Sequence, residues 1–301
     1  MYESTERHSG GKFTQHFCNS RRLKDMPSYD SSRGRFRLAD RHVAVLAHLL
    51  DKETPPAELA HSLTELQQIG LVGPQGELSP LLRELLTVLA RPVVVVQAET
   101  MGLHGSLSHG IVVGRDAVFS HDGWPGEEES EYVPIEPQTL VWEMARKVKL
   151  RRREADLENG DGVSEIRTTM GTLDAVLSVL GEASDDITAR QAALRALGEV
   201  KDDLREPELS AFADLVLSLD STWRMTAAWA GQPGVDSVRS IAVWDCGSYG
   251  YWLRAEPPEP VQEGQVTADS TLRLVRSSAG EIWDRLADLL PDKEDFADES
   301  A

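Results

Sequence analysis

Cysteine is scarce in this 301-residue chain: Cys18 stands in a polar leader and Cys246 in an apolar, strand-like run. Two such residues exclude a disulfide-built scaffold and suit a reducing compartment. Long apolar runs are missing too, since none approaches the roughly 18 residues that a membrane span requires and residues 1–35 hold no signal-peptide stretch. The expected location is the cytoplasm, without membrane insertion. Positive charge is in deficit, with 31 Lys and Arg against 50 Asp and Glu for a net charge of -19, so the averaged field repels nucleic acid and anionic lipid.

Motifs that carry chemistry are lacking as well. Neither GxxxxGK[ST] nor GxGxxG is present to cradle a phosphate. The run Gly105-Ser106-Leu107-Ser108-His109-Gly110 shares the composition of a nucleophile elbow but not its spacing, and reads as a hairpin turn. Cys246 lies far from any base in sequence, because all eight histidines precede residue 122, and it reads as a small apolar strand residue. His104, His109 and His121, with Glu99, Asp116 and Asp122 nearby, have irregular spacing, so no metal and no cofactor are expected. The acidic runs at 127–129 and 292–299 lack a calcium-loop pattern and read as solvated, and no paired carboxylates stand out. The chain is not expected to be an enzyme.

What is present is the composition of a globular protein, 41% apolar and 27% charged. A leader over 1–35 has no periodicity and is expected to be disordered. Leu38, His42, Val45, Leu46, Leu49 and Leu50 mark a first helical face, 57–69 a second helix, and Ser79-Pro80 the start of a third. Strands follow at 93–98, 108–113, 117–120 and 132–135, then a helix over 137–150. Five basic residues at 147–153 and an acidic, Gly-containing stretch mark a linker over 151–165.

The order then recurs. Three helices (172–180, 188–200, 207–219), four strands (223–229, 238–244, 249–255, 270–275) and a closing helix (279–290) follow. Leu89, Val93 and Val95 align with Leu219, Trp223 and Met225, and Ile111 with Ile241, all 130 residues apart; Val141-Trp142-Glu143 matches Ile282-Trp283-Asp284. The expected fold is α+β: two modules, 36–150 and 166–292, each of three helices, a four-stranded antiparallel sheet and a closing helix, related by internal duplication, with an acidic tail at 293–301. The two sheets are expected to meet or to merge. In the strand 223–229, alternation puts Trp223, Met225, Ala227 and Trp229 on a core face and Arg224 and Thr226 on a wet one.

Seven tryptophans stand out. Trp142 and Trp283 are expected in the core, as are Trp223, Trp229 and Trp244, whereas Trp124 in a polar turn reads either as an interface anchor or as a lid on the sheet. Met101 and Leu103 project from a long strand-strand loop over 99–107. Two other readings stay open. The helix-turn-helix at 63–89 followed by strands has the order of a winged-helix DNA-binding regulator, which a basic surface at Arg83, Arg91 and 147–153 would support; an enzyme with a dispersed site would need a pocket gathering the three histidines.

The stretch Leu66-Gln67-Gln68-Ile69-Gly70-Leu71-Val72-Gly73, then Glu77-Leu78-Ser79-Pro80-Leu81-Leu82 and 86–96 with its Arg91-Pro92, resembles the entry of the EspG family, the cytosolic specificity chaperones of type VII (ESX) secretion in actinobacteria. The duplicated halves resemble its pseudo-twofold fold. The resemblance implies a non-catalytic chaperone that binds the helical tip of a PE-PPE pair and keeps it soluble for export. It also implies client contact through the C-terminal helical part and a long strand-strand loop, here Met101, Leu103 and His104, to which composition adds Trp124.

Overall fold

The computed structural model describes residues 26–102, 105–123, 126–152, 162–181, 185–200, 204–231, 236–255 and 264–296. In chain order the elements are β1 (Ser28–Asp30), β2 (Arg35–Ala39), α1 (Asp40–Leu50), α2 (Ala60–Gln68), α3 (Pro80–Ala90), β3 (Val94–Gly102), β4 (Gly105–Val113), β5 (Val118–Gly123), β6 (Glu129–Ile135) and α4 (Leu140–Lys147). They continue with β7 (Glu165–Thr169), α5 (Met170–Leu180), α6 (Asp186–Glu199), α7 (Glu206–Leu217), β8 (Ser221–Ala230), β9 (Asp236–Asp245), β10 (Tyr251–Arg254), β11 (Thr271–Ser277) and α8 (Ala279–Asp288). Two compact units result. One holds the described residues up to Pro92 with Val112–Ile135, the other Val93–Ile111 with the described residues from Glu136 onward.

In the first unit the strand order is β1-β2-β6-β5 and neighbouring strands pair antiparallel. Phe36 and Leu38 of β2, Phe119 of β5 and Tyr132 of β6 pack with Val45, Leu46, Leu66, Leu82, Leu85 and Leu86 of the helices. Period 2 in the strands and period 3.6 in the helices put these residues on facing sides, which is why the core forms here. Helix α3 begins as its sequence indicates: Ser79 caps it by accepting from the Leu82 N–H at 3.2 Å, with Pro80 as first helical residue. Burial, with the Asp40 charge in second place, pushes the Tyr132 phenol up to about 12.

Three expectations change in this unit. Residues 1–25 lie outside the described residues, but 28–30 and 35–39 form a hairpin in which Tyr29 stacks on Phe36 at 4.7 Å, and Gly34 supplies the left-handed turn at φ 62°. Leu38, expected on a helix, is therefore a strand residue. The acidic run at 127–129 is not simply solvated either: Glu127 pairs with Arg37, Glu128 pairs with Arg41, and Glu129 is buried. These cations, lying about 90 residues earlier in the chain, neutralise it.

In the second unit the strand order is β4-β3-β8-β9-β10-β11-β7, a large antiparallel sheet. Strand β3, from the first expected module, pairs with β8, from the second, between Val94↔Trp229 and Gly102↔Ser221. Helices α5, α6 and α7 bury Leu173, Val176, Leu197 and Phe212 against Ile166, Trp244, Trp252, Leu272 and Leu274. Helices α4 and α8 pack on each other, and Arg239 of β9 donates to the carbonyls of Asp288 and Leu290 at 3.0 and 2.8 Å, holding the negative end of α8. Arg239 also binds Asp295 at 2.7 Å and lies over the Trp229 ring at 5.1 Å, so part of the expected acidic tail is tied down.

Further corrections fall here. Eleven strands, rather than the expected eight, occur among the described residues, because β2 and β7 are short strands whose partners β6 and β11 lie far away in the chain, and β1 is a three-residue strand that pairs with β2. Trp142 and Trp283, expected in the core, are 56% and 38% exposed. In α8 the inward stripe is Ile282, Leu286 and Leu289 at i, i+4 and i+7, and in α4 the buried residues are Met144, Ala145 and Lys147; each tryptophan falls off its stripe. Trp223, Trp229 and Trp244 are buried.

One order of elements occurs twice. Strand, three helices, four strands and a helix run from β2 to α4 and again from β7 to α8, with β2-α1 and β7-α5 starting and ending 130 residues apart. That offset fails in β3 and β8. It aligns Val95, which points outward, with Met225, which is buried, and a period-2 strand permits only an odd offset there.

Candidate functional site

The outward side of the central strands in the second unit is the candidate site. Because opposite residues of an antiparallel pair share a face, the register sorts this side into rows. Val95, Ala228 and Val238 form the first, Gln97, Thr226 and Ser240 the second, Glu99, Arg224 and Ala242 the third, and Met101, Thr222 and Trp244 the fourth. At β10 the third row continues to Arg254 and the fourth to Trp252. Val238 and Met101 are 62% and 63% exposed, whereas Trp244 and Trp252 are covered by the core beneath α5 and α7. The face is thus open over β3, β8 and much of β9, and closes toward β10.

The expected loop over 99–107 is not a long loop. Strand β3 runs to Gly102 and β4 begins at Gly105, so Met101 is a strand residue opposite Thr222. Gly102 allows this extension: a Cβ there would come within 3.1 Å of the Asp220 carbonyl oxygen and 3.3 Å of the Ser221 Cβ. Of the expected contact residues, Met101 lies on the open face, while Leu103, His104 and Trp124 lie outside the described residues. The exposed side of β8 was legible through Arg224 and Thr226; Val95, Val238 and Arg254 were not, since their place depends on which strands adjoin it.

Residues considered for chemistry are engaged in other ways. His121 stacks on Tyr132 at 4.8 Å, and among the described residues no group of three or more His, Cys, Asp or Glu is placed to hold a metal ion. Cys246 is wholly buried in the apolar core under α5 and α7. Ser106 and Ser108 lie within β4 and not at a strand-to-helix turn. Of the basic run at 147–153, Lys147 is buried and Arg153 is outside the described residues; just before it Arg146 is paired with Glu143 at 2.7 Å, so the surface that a DNA-binding regulator needs gains little from this segment. Among the described residues no helix is long and apolar enough to cross a membrane.

No family model matches the sequence, and no curated protein matches it. Among solved structures, the fold is similar to a chain in the structure of the Mycobacterium tuberculosis type VII secretion system chaperone EspG5 in complex with PE25-PPE41 dimer. The TM-score is 0.53 at 10% identity, over 87% of this chain and 100% of that one. At that identity the likeness is one of fold. The chain has an EspG-like fold with mixed helices and strands and a large antiparallel sheet.

Proposed function

We propose that this chain is a non-catalytic cytoplasmic chaperone of EspG type, which binds a PE-PPE-like helical substrate of type VII secretion and keeps it soluble for export. The fold likeness, extending over the whole of the compared chain, is the observation that carries this reading. An open sheet face with Met101 and Val238 exposed supports it, since a chaperone for a folded helical pair must offer an apolar surface without enclosing a pocket. Internal duplication belongs to the same reading, with modules at 36–150 and 166–292 joined by the 151–165 linker. The repeated order of elements, whose first strand and helix stand 130 residues apart, supports it.

Met101, Leu103, His104 and Trp124 are the proposed client contacts. The test is co-expression of the full chain with a PE-PPE pair from the same genome, followed by size-exclusion chromatography. The chain should co-elute with the pair and keep it soluble, and Met101→Asp combined with Leu103→Asp should abolish co-elution while leaving the circular dichroism unchanged. Aggregation of the pair to the same extent with and without the chain would overturn the reading.

A further inference from the structure

We propose that the open face of β3, β8 and β9 docks an acidic amphipathic helix of the partner, with a partner carboxylate seated between Arg224 and, at the closing edge on β10, Arg254. The proposal rests on the chaperone reading for the helical form of the partner, and on the arginines alone for its charge. Arg224 stands opposite Ala242, and Ala242 opposite Arg254, so the two guanidiniums share one face and only a methyl group lies between them. Two strand spacings, about 9.6 Å, separate their backbones, a span across which two long side chains converge on one carboxylate.

Among the described residues nothing neutralises this pair, and neither guanidinium makes an ion pair. Arg254 is half-buried and donates to the Met170 thioether at 3.8 Å, a weak acceptor. Glu99 faces Arg224 in register, yet its Oε1 accepts from the Gln97 amide at 3.2 Å. Burial, followed by the Arg224 charge, lowers the pKa of Arg254 from its ordinary value. In a chain of net charge -19, two adjacent cations without an ion pair among the described residues are a local inversion of sign. The attraction of an incoming carboxylate offsets both the repulsion between the guanidiniums and the cost of their desolvation.

The rows on either side suit an amphipathic rather than a uniformly acidic partner. Val95, Ala228 and Val238 lie two rows away on one side, and Met101 lies on the other. From Val95 to Met101 the strand rises about 20 Å, the length of about 13 helical residues.

The experiment uses the full chain and two 14-residue acetylated peptides, one with Leu and Glu on a single helical face and one with Gln in place of Glu. Fluorescence anisotropy reads their binding at low and high salt. The Glu peptide should bind at least about tenfold more tightly than the Gln peptide, with the difference shrinking in salt. Arg224→Gln should weaken the Glu peptide about tenfold, Arg254→Lys less, and Glu99→Gln should tighten it. Arg224 is exposed, so its replacement leaves the fold intact and the test valid even if Arg254 variants fold poorly. Equal affinity for the two peptides, binding of neither, or indifference to Arg224→Gln would overturn the proposal. So would inorganic phosphate that competes at the peptide's own affinity, which would mark a small-anion site. A chain that retains the PE-PPE pair but ignores glutamate keeps the chaperone reading and loses this one; preference for glutamate without retention of the pair does the reverse.

Discussion

Two strand-to-helix junctions, at 35–50 and 165–180, carry out one task with different chemistry. Each must satisfy backbone N–H groups at a helix start, and each places a polar residue at the third helical position, His42 in α1 and Thr172 in α5, both wholly buried. At the first junction the strand ends in Ala39, which has no side-chain acceptor, so His42 reaches back and its Nδ1 accepts the Ala39 N–H at 3.0 Å. The proton is thereby placed on Nε2, which donates to Glu65 at 3.1 Å. At the second junction Thr169 reaches forward, accepting the Thr172 N–H at 3.2 Å, and the two hydroxyls lie 3.0 Å apart. The junctions thus use opposite halves of a capping box, and only the one built on histidine can respond to pH.

The largest effects come from the apolar residue one turn further on, Leu46 in one helix and Val176 in the other, both with no exposed surface. Leu46→Ala should cost about 2–5 kcal/mol and Val176→Ala about 2 kcal/mol, read as lower urea-unfolding midpoints by circular dichroism. A neutral result at either position would mean that its junction is not anchored in the core. Next come the polar residues themselves. His42→Leu strands the Ala39 N–H and removes the donor from Glu65, so a loss of about 2–3 kcal/mol is expected, whereas Thr172→Val removes one hydroxyl and should cost about 1 kcal/mol. Equal losses would remove the distinction between the junctions.

How far the sequence reveals these junctions depends on where their partners lie. Helix starts with a local signal were legible: Ser79-Pro80 opens α3, and Ser278 caps α8 by accepting from the Glu281 N–H. Strands β2 and β7 were not, because five residues abutting a helix carry too short an alternation, and their pairing (Phe36 with Tyr132, Leu274 with Ile166) spans about a hundred residues. The helix start after Ala39 was hidden for a related reason, since its satisfying group lies inside the helix. At the site, alternation in β8 already set Arg224 on the wet side. Arg254 acquired meaning only through Ala242, a residue with no chemical signal of its own. Likewise the outward tryptophans of α4 and α8 follow from which stripe the sheet selects, not from their own hydrophobicity.

The smallest effect, and the one that separates the junctions most cleanly, is pH dependence. Burial, the foremost influence, lowers the His42 pKa from its ordinary 6.5, while its hydrogen bond to Glu65 opposes it; the charges of Arg41, Glu65 and Glu129 act more weakly. With the folded value below the unfolded one, the unfolded chain binds more protons as pH falls. The stability owed to neutral His42 is therefore complete above about pH 6.5 and is lost as pH drops toward the folded value. One proton limits the slope to about 1.4 kcal/mol per pH unit. Hydrogen exchange in α1 should accelerate on acidification below pH 6.5, after correction for intrinsic rates, while α5 should show no step at that pH. The variant His42→Gln retains an acceptor but cannot titrate, so it should abolish the step in α1. If the step persists in that variant, the titrating group is not His42, and the contrast between the two junctions is one of geometry alone.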